Sequence, residues 1–157
     1  MSGTMNQETA IERVREIHKA GNSCAPSVLQ VMQEFYGLND DNLAKTALAF
    51  GGGIARRQSE CGALVGGVMA LGLKLGTGVT IERTTEDEAA RKKLYQEAND
   101  LYDAFKRDFG EAFCLELTGH DFSKPGGYET YRADAIARAC CARYVEYVVR
   151  RLTELSD

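Results

Sequence analysis

The feature that most constrains this fold is a glycine-rich stretch in the middle of the chain, residues 50–67. Three consecutive glycines run into two arginines, and a short polar turn then leads to Cys61. Ser59 is the predicted N-cap of the following helix, because its hydroxyl can accept a hydrogen bond from a first-turn backbone N–H. Cys61 then falls in the first helical turn, where the helix dipole favours a thiolate and lowers the pKa of the thiol. The stretch therefore predicts sulfur chemistry.

Hydrophobic residues recur at helical spacing along almost the whole chain, and the alternation typical of strands is rare. We therefore expect an all-α, single-domain bundle of about five to six helices, with residues 1–157 forming one domain. In the central helix, Gly62, Gly66 and Ala70 are spaced by four residues, which gives that helix a smooth side for close packing. A last helix is predicted over residues 130–155.

Composition argues against several classes of protein. The net charge of −4 gives no reason to expect binding to nucleic acid or to an anionic membrane. The longest run without polar or charged side chains, residues 61–73, is too short to span a bilayer. The first residues lack the apolar segment of an export signal. We therefore expect a cytoplasmic protein that is not inserted in a membrane.

The candidate ligands are mainly cysteines, and their five positions are 24, 61, 114, 140 and 141. An odd number in a cytosolic chain indicates metal binding, redox chemistry or buried packing rather than a disulfide scaffold. No C-x-x-C pair is present, so any site must be assembled by the fold. Cys24, like Cys61, is predicted at the start of a helix and on its buried side, which makes these two the candidate redox-active thiols. His18 lies beside the apolar stripe of the first helix and is expected to be a surface or partly buried residue rather than a ligand.

The two adjacent cysteines near the C-terminus cannot both lie at the centre of one helical face, because neighbouring residues point about 100° apart. Cys141 precedes Val145 by four residues and Val148 by seven, which places it on the apolar stripe. Cys140 shares a more polar face with Tyr144. We therefore predict that Cys141 belongs to the site and that Cys140 does not.

The glycine-rich loop does not match a phosphate-binding pattern. No Lys-Ser/Thr pair follows a glycine, and Arg56 occupies the last glycine position of G-x-G-x-x-G. A backbone nest that faces an anionic thiolate or cluster is favoured instead, with an ordinary helix–loop–helix turn as the alternative. The predicted cofactor contacts, from this loop and from the smooth side of the next helix, are Gly51, Gly52, Gly53, Arg56, Gly62 and Gly66.

Four sequence elements occur in a fixed order. They are Asn-x-Cys-Ala at residues 22–25, Phe-Gly-Gly-Gly at 50–53 with Cys-Gly-Ala-x-x-Gly at 61–66, Cys-x-x-Leu-x-Gly at 114–119, and a cysteine four residues before a valine at 141. Over about residues 22–150 this arrangement resembles the redox-active family named for the pattern C_GCAxxG_C_C. Glu60, where the family name has glycine, and His120, where an aromatic residue such as tyrosine is expected, depart from the pattern.

The resemblance implies a cofactor. A related domain stands at the N-terminus of split-Soret cytochromes, where an iron–sulfur cluster is associated with it. By that similarity Cys24, Cys61, Cys114 and Cys141 are the implied metal ligands, and a two-iron, two-sulfur cluster takes four thiolates. The same relatives suggest a homodimer.

Four functions remain open at this point. The chain is an iron–sulfur protein for electron transfer, a metal-free thiol–disulfide oxidoreductase, a structural zinc module with four cysteine ligands, or a domain whose cysteines only fill space. The absence of C-x-x-C counts against the oxidoreductase, and the absence of short ligand spacing counts against zinc. The sequence identifies neither a substrate nor a redox partner.

Overall fold

The computed structural model describes residues 4–82 and 84–155, and its secondary structure is helical throughout these ranges. Within them the only pairing of extended backbone is a single antiparallel bridge between Glu60 and Phe113. No helix in the described part of the chain is both long and apolar enough to cross a membrane. The α-helices are α1 Gln7–Lys19, α2 Cys24–Phe35, α3 Gly62–Leu75, α4 Glu88–Phe109, α5 Cys114–Thr118, α6 Gly127–Ala133 and α7 Ala135–Glu154, and short 3₁₀ helices span Ala44–Phe50 and Thr85–Asp87.

The all-α prediction is confirmed, but the number of helices is larger than the five to six expected. One reason is that the predicted last helix, residues 130–155, is two helices that meet at Asp134. The carboxylate of Asp134 accepts hydrogen bonds from the backbone N–H groups of Ile136 and Ala137, at 2.9 and 3.0 Å. An aspartate that caps a helix in this way also ends the helix before it, and hydrophobic periodicity does not register such a break.

The smooth side of α3 packs directly against α2, as its four-residue spacing predicts. A Cβ atom added to Gly66 would lie 2.5 Å from the carbonyl oxygen of Ala25 and 3.1 Å from Cβ of Val28. On a neighbouring face of α3, a Cβ atom at Gly67 would lie 2.6 Å from the side chain of Val148 in α7. Glycine is therefore what allows α3 to approach two other helices.

The rest of the core lies between the long helices. Phe105 and Phe109 of α4 pack edge-on against Tyr144 and Tyr147 of α7, with ring centroids 4.8–5.9 Å apart. Helix α1 pairs with α7 and also contacts α2. The outcome is one buried core that extends from α1 to α7 and includes two of the cysteines, Cys61 and Cys141.

Candidate four-cysteine site

Four cysteines, each within or directly before a different helix, converge on one part of the molecule. Cys24 is the first residue of α2, Cys61 immediately precedes α3, Cys114 is the first residue of α5, and Cys141 lies within α7. The other three cysteines help to raise the pKa of the Cys24 thiol, and Cys61 and Cys141 help to raise that of Cys114, so the four lie near one another. All four are free thiols. These are the four residues that the family resemblance implies as metal ligands.

Backbone hydrogen bonds hold Cys61 and Cys114 side by side. The N–H of Cys61 donates to the carbonyl of Ala112 at 2.8 Å, and the N–H of Cys114 donates to the carbonyl of Ser59 at 2.7 Å. Glu60 and Phe113 form the antiparallel bridge between these two bonds. The two cysteines therefore belong to one small backbone unit, although 53 residues of sequence separate them.

Cys24 contacts this unit at Gly62 and contacts α1 at His18. A Cβ atom at Gly62 would lie 3.2 Å from Cβ of Cys24, so a larger residue beside Cys61 would push α2 and α3 apart. The sulfur of Cys24 lies 3.7 Å from Nε2 of His18. Cys24 is half-buried, whereas Cys61, Cys114 and Cys141 are buried. Although Cys24 is half-buried as a residue, its thiol is desolvated.

The structure separates the two adjacent cysteines of α7 as the sequence predicts. Cys141 is buried and hydrogen-bonded to the hydroxyl of Tyr131 in α6. Cys140 is half-buried and interacts electrostatically with its neighbour Cys141 and with Tyr144. Cys140 thus lies at the edge of the site rather than among the four.

The predicted acidification of the helix-start thiols is wrong. Burial raises the pKa of Cys61 to about 12, and it raises the pKa of Cys24 well above its ordinary value. The N–H groups of Ala63 and Leu64, at the start of α3, act in the opposite direction on the pKa of Cys61, but desolvation is larger. Burial likewise raises the pKa of Cys114 to about 12. Without a bound cation these thiols are therefore protonated at neutral pH.

The predicted N-cap of α3 is also wrong. The N-cap is Cys61 itself, and the hydroxyl of Ser59 donates instead to the carbonyl of Gly53 at 3.2 Å. The chain must first pair with the Ala112 segment, so α3 begins one residue after the cysteine. The thiol of Cys61 consequently occupies the position at which a capping side chain normally lies.

The glycine loop adopts a left-handed conformation over several residues. Positive φ angles of 48–66° occur at Gly52, Gly53, Ile54, Ala55 and Arg56. For non-glycine residues this conformation costs roughly 1–2 kcal/mol each. The backbone N–H groups of residues 54–59 all donate to carbonyls of residues 49–54. These six amides are therefore bonded within the loop and do not face an anion, whereas the N–H groups of the predicted nest, at Gly51, Gly52 and Gly53, are not among them.

The other predicted cofactor contacts have structural partners in the protein itself. Gly51 packs against the side chain of Ser23, with 2.5 Å between a Cβ atom added to Gly51 and Cβ of Ser23. The guanidinium of Arg56 lies 3.8 Å from the ring centroid of Tyr128 in α6. Tyr128 in turn contacts Tyr131, the partner of Cys141. The loop therefore packs against the residue before α2 through Gly51 and contacts α6 through Arg56.

Gln58 is a site residue that the sequence analysis missed. Its buried amide donates to Thr118 Oγ1 at 3.2 Å and to the carbonyl of His120 at 2.7 Å, and it accepts from the N–H of Phe122 at 2.7 Å. The side chain also hydrogen-bonds Cys114. Gln58 has a positive φ of 61°. A glutamine in a polar turn gives no sequence signal of this role, because its partners lie about sixty residues away in the chain.

The ligand set suits an iron–sulfur cluster in kind and in number, since two-iron and four-iron clusters are both held by four cysteine thiolates. Within residues 4–82 and 84–155, however, no group of three or more histidine, cysteine or carboxylate side chains is positioned to hold a metal ion. A tetrahedral Zn²⁺ ion with Zn–S bonds of about 2.3 Å needs its sulfurs about 3.8 Å apart.

Comparison with known families agrees with the motif analysis. Residues 22–155 match the model of the family described as "Putative redox-active protein (C_GCAxxG_C_C)". The match includes all five cysteines and leaves α1 outside it. The resemblance predicted from the sequence is thereby confirmed. No curated protein and no solved structure matches the chain.

Proposed function

The chain belongs to the C_GCAxxG_C_C family of redox-active proteins, and we propose that it transfers electrons through an iron–sulfur cluster held by Cys24, Cys61, Cys114 and Cys141. The observation that carries this proposal is the convergence of these four thiols, each within or directly before a different helix, on one part of the molecule. A cysteine-ligated cluster, when bound, supplies one-electron transfer. The protein supplies the four ligands, their spacing and their protection from water.

The electrostatics of the site support binding of a cation-containing group. Protonated thiols can be buried in an apolar core, whereas four thiolates cannot be buried without compensating positive charge. Iron supplies that charge, and the N-termini of α2 and α3 add a smaller favourable contribution beside Cys24 and Cys61. Metal ligands must lose their protons on binding, so loading such a site releases protons and is favoured by higher pH.

A metal-free thiol–disulfide oxidoreductase is the second candidate function. The observation that favours it is that the converging cysteines are free thiols close to one another. In that mechanism one thiolate of the pair Cys24 and Cys61 attacks a disulfide of the partner molecule, the partner's second sulfur leaves as a thiol, and another cysteine of the chain resolves the mixed disulfide. The raised pKa values of Cys24 and Cys61 count against it, because little attacking thiolate is present at neutral pH.

Chemical analysis of protein purified without oxygen distinguishes these functions. We expect a brown protein that contains iron and acid-labile sulfide in comparable amounts. Colourless protein with neither iron nor sulfide, but with an intramolecular disulfide that forms in a glutathione buffer, would favour the oxidoreductase instead. Zinc without sulfide would show that the four cysteines form a structural zinc module.

A further inference from the structure

His18 contacts the cysteine site from outside the segment that defines the family. Its Nε2 atom lies 3.7 Å from the sulfur of Cys24, within hydrogen-bonding range for sulfur. The family match begins at residue 22, four residues after His18. The contact is therefore a feature of this chain that the cysteine motif does not specify, and sequence analysis favoured a histidine without a role at the site.

The turn between α1 and α2 fixes the position of His18. Helix α1 ends at Lys19, and Gly21 turns the chain back with φ of 102°. The N–H of Gly21 donates to the carbonyl of His18 at 3.1 Å, and the side-chain amide of Asn22 donates to the carbonyl of Ile17 at 3.0 Å. The last turn of α1 is thus tied to the segment that leads into Cys24. A residue in that last turn therefore faces the first turn of α2.

The surroundings of α1 also restrict the imidazole. Arg15 pairs with Glu146 of α7 through two hydrogen bonds of 2.9 and 3.0 Å, which holds α1 against α7. In either protonation state an imidazole carries at least one N–H donor, and a sulfur that carries no proton can only accept.

We propose that His18 is a positioning residue of the cysteine site. Its Nε2–H donates a hydrogen bond to the Cys24 sulfur when that sulfur is bound to the redox group, and this hydrogen bond raises the reduction potential of the group. The physical reason is that reduction adds negative charge to the sulfur ligands, so a hydrogen bond to one of them stabilises the reduced form more than the oxidised form. The effect on the potential rests on the proposed function, whereas the contact itself does not.

Redox titration of the loaded protein tests the effect on the potential. His18→Phe keeps a ring in place but removes the donor. We expect its midpoint potential to be more negative by about 59 mV for one electron, which corresponds to a tenfold change in the equilibrium constant for reduction. His18→Gln keeps an N–H donor and should recover most of this shift. His18→Gln is also the matched control, because it replaces the same side chain without loss of the donor. An unchanged potential in His18→Phe, or an equal shift in His18→Gln, would overturn the role in tuning.

Nitrogen NMR of the metal-free protein tests the contact without any cofactor. Cys24→Ala should change the chemical shift of His18 Nε2, whereas Cys140→Ala should leave it unchanged. If Cys24→Ala has no effect on this resonance, the contact and the proposal with it are wrong. If no preparation contains iron and sulfide, the proposed function fails, and this NMR comparison alone still decides whether His18 bonds to Cys24.

Discussion

Two regions of the molecule are held together in different ways. The helical frame, formed by α1, α4 and α7, is stabilised by side-chain packing, and Phe105 of α4 is fully buried against the rings of α7. The cysteine loops, residues 51–61 and 112–118, are stabilised by backbone hydrogen bonds and by the amide of Gln58. A packed frame tolerates exchange of one apolar residue for another of similar volume. Loops of this kind depend on particular backbone conformations, so their tolerance to substitution should differ.

The comparison is tested most strongly where the two regions meet, at the adjacent cysteines of α7. Cys141→Ser should abolish binding of iron and sulfide, because it removes one of the four converging ligands, while the fold is retained. Cys140→Ser should keep most of both. Iron and sulfide per protein chain, measured after anaerobic purification, give the answer. Equal retention in the two variants would mean that Cys141 only fills space, and the reverse result would exchange the roles of the two residues.

The next largest effect is expected at the contact between α2 and α3. Gly66→Leu should lower the free energy of unfolding by more than the roughly 1–3 kcal/mol typical of overpacking, because its side chain would meet the backbone of Ala25. Gly72→Leu is the matched control, since a Cβ atom at Gly72 of the same helix would have no neighbour within 4 Å. Denaturant unfolding of the two variants measures the difference. Equal stabilities would show that the close approach of α3 to α2 is incidental.

A smaller effect is expected from Gln58 in the cysteine loops. Gln58→Ala should cost about 1–3 kcal/mol, because the N–H of Phe122 and the carbonyl of His120 lose a buried partner. Gln58→Gly removes the same hydrogen bonds but tolerates the positive φ, so it should be the less destabilising of the two. Thermal unfolding at one pH compares them. If alanine is tolerated as well as glycine, the left-handed conformation at this position carries no strain.

The smallest effect is expected at Asp134, and it depends on pH. The N–H of Ala137 and the side chain of His120 hold the pKa of the Asp134 carboxyl below its ordinary value of about 3.9. The carboxylate therefore stabilises the fold above that pH, and the contribution is lost as pH falls through the lower, folded-state pKa. Asp134→Asn retains a good N-cap but has no carboxylate to titrate. Its melting temperature should therefore be below that of the wild type at pH 6 and closer to it in acid. A difference that is the same at both pH values would contradict this account.

The helical frame was predictable from the sequence because side chains at helical spacing identify each buried face. The stripe of α4 through Leu101 and Phe105 and the buried position of Cys141 are examples. The identity of the four converging cysteines was predictable only through the family motif. The arrangement of the loops was not predictable, because it depends on bonds between distant segments, such as that from Cys114 to Ser59. The sign of the thiol pKa shifts depends on burial, which local position in a helix does not reveal.

The wide spacing of the four cysteines along the chain has a consequence for folding. Cys24, Cys61, Cys114 and Cys141 lie several tens of residues apart, so they meet only after most of the chain has folded. A bond or bridging group between any two of them closes a long loop, and closing one such loop removes roughly 3.5–5 kcal/mol of chain entropy from the unfolded state. A disulfide or a cluster bound by these sulfurs therefore also cross-links the chain. A chain without that cross-link should unfold more readily and be degraded sooner by proteases.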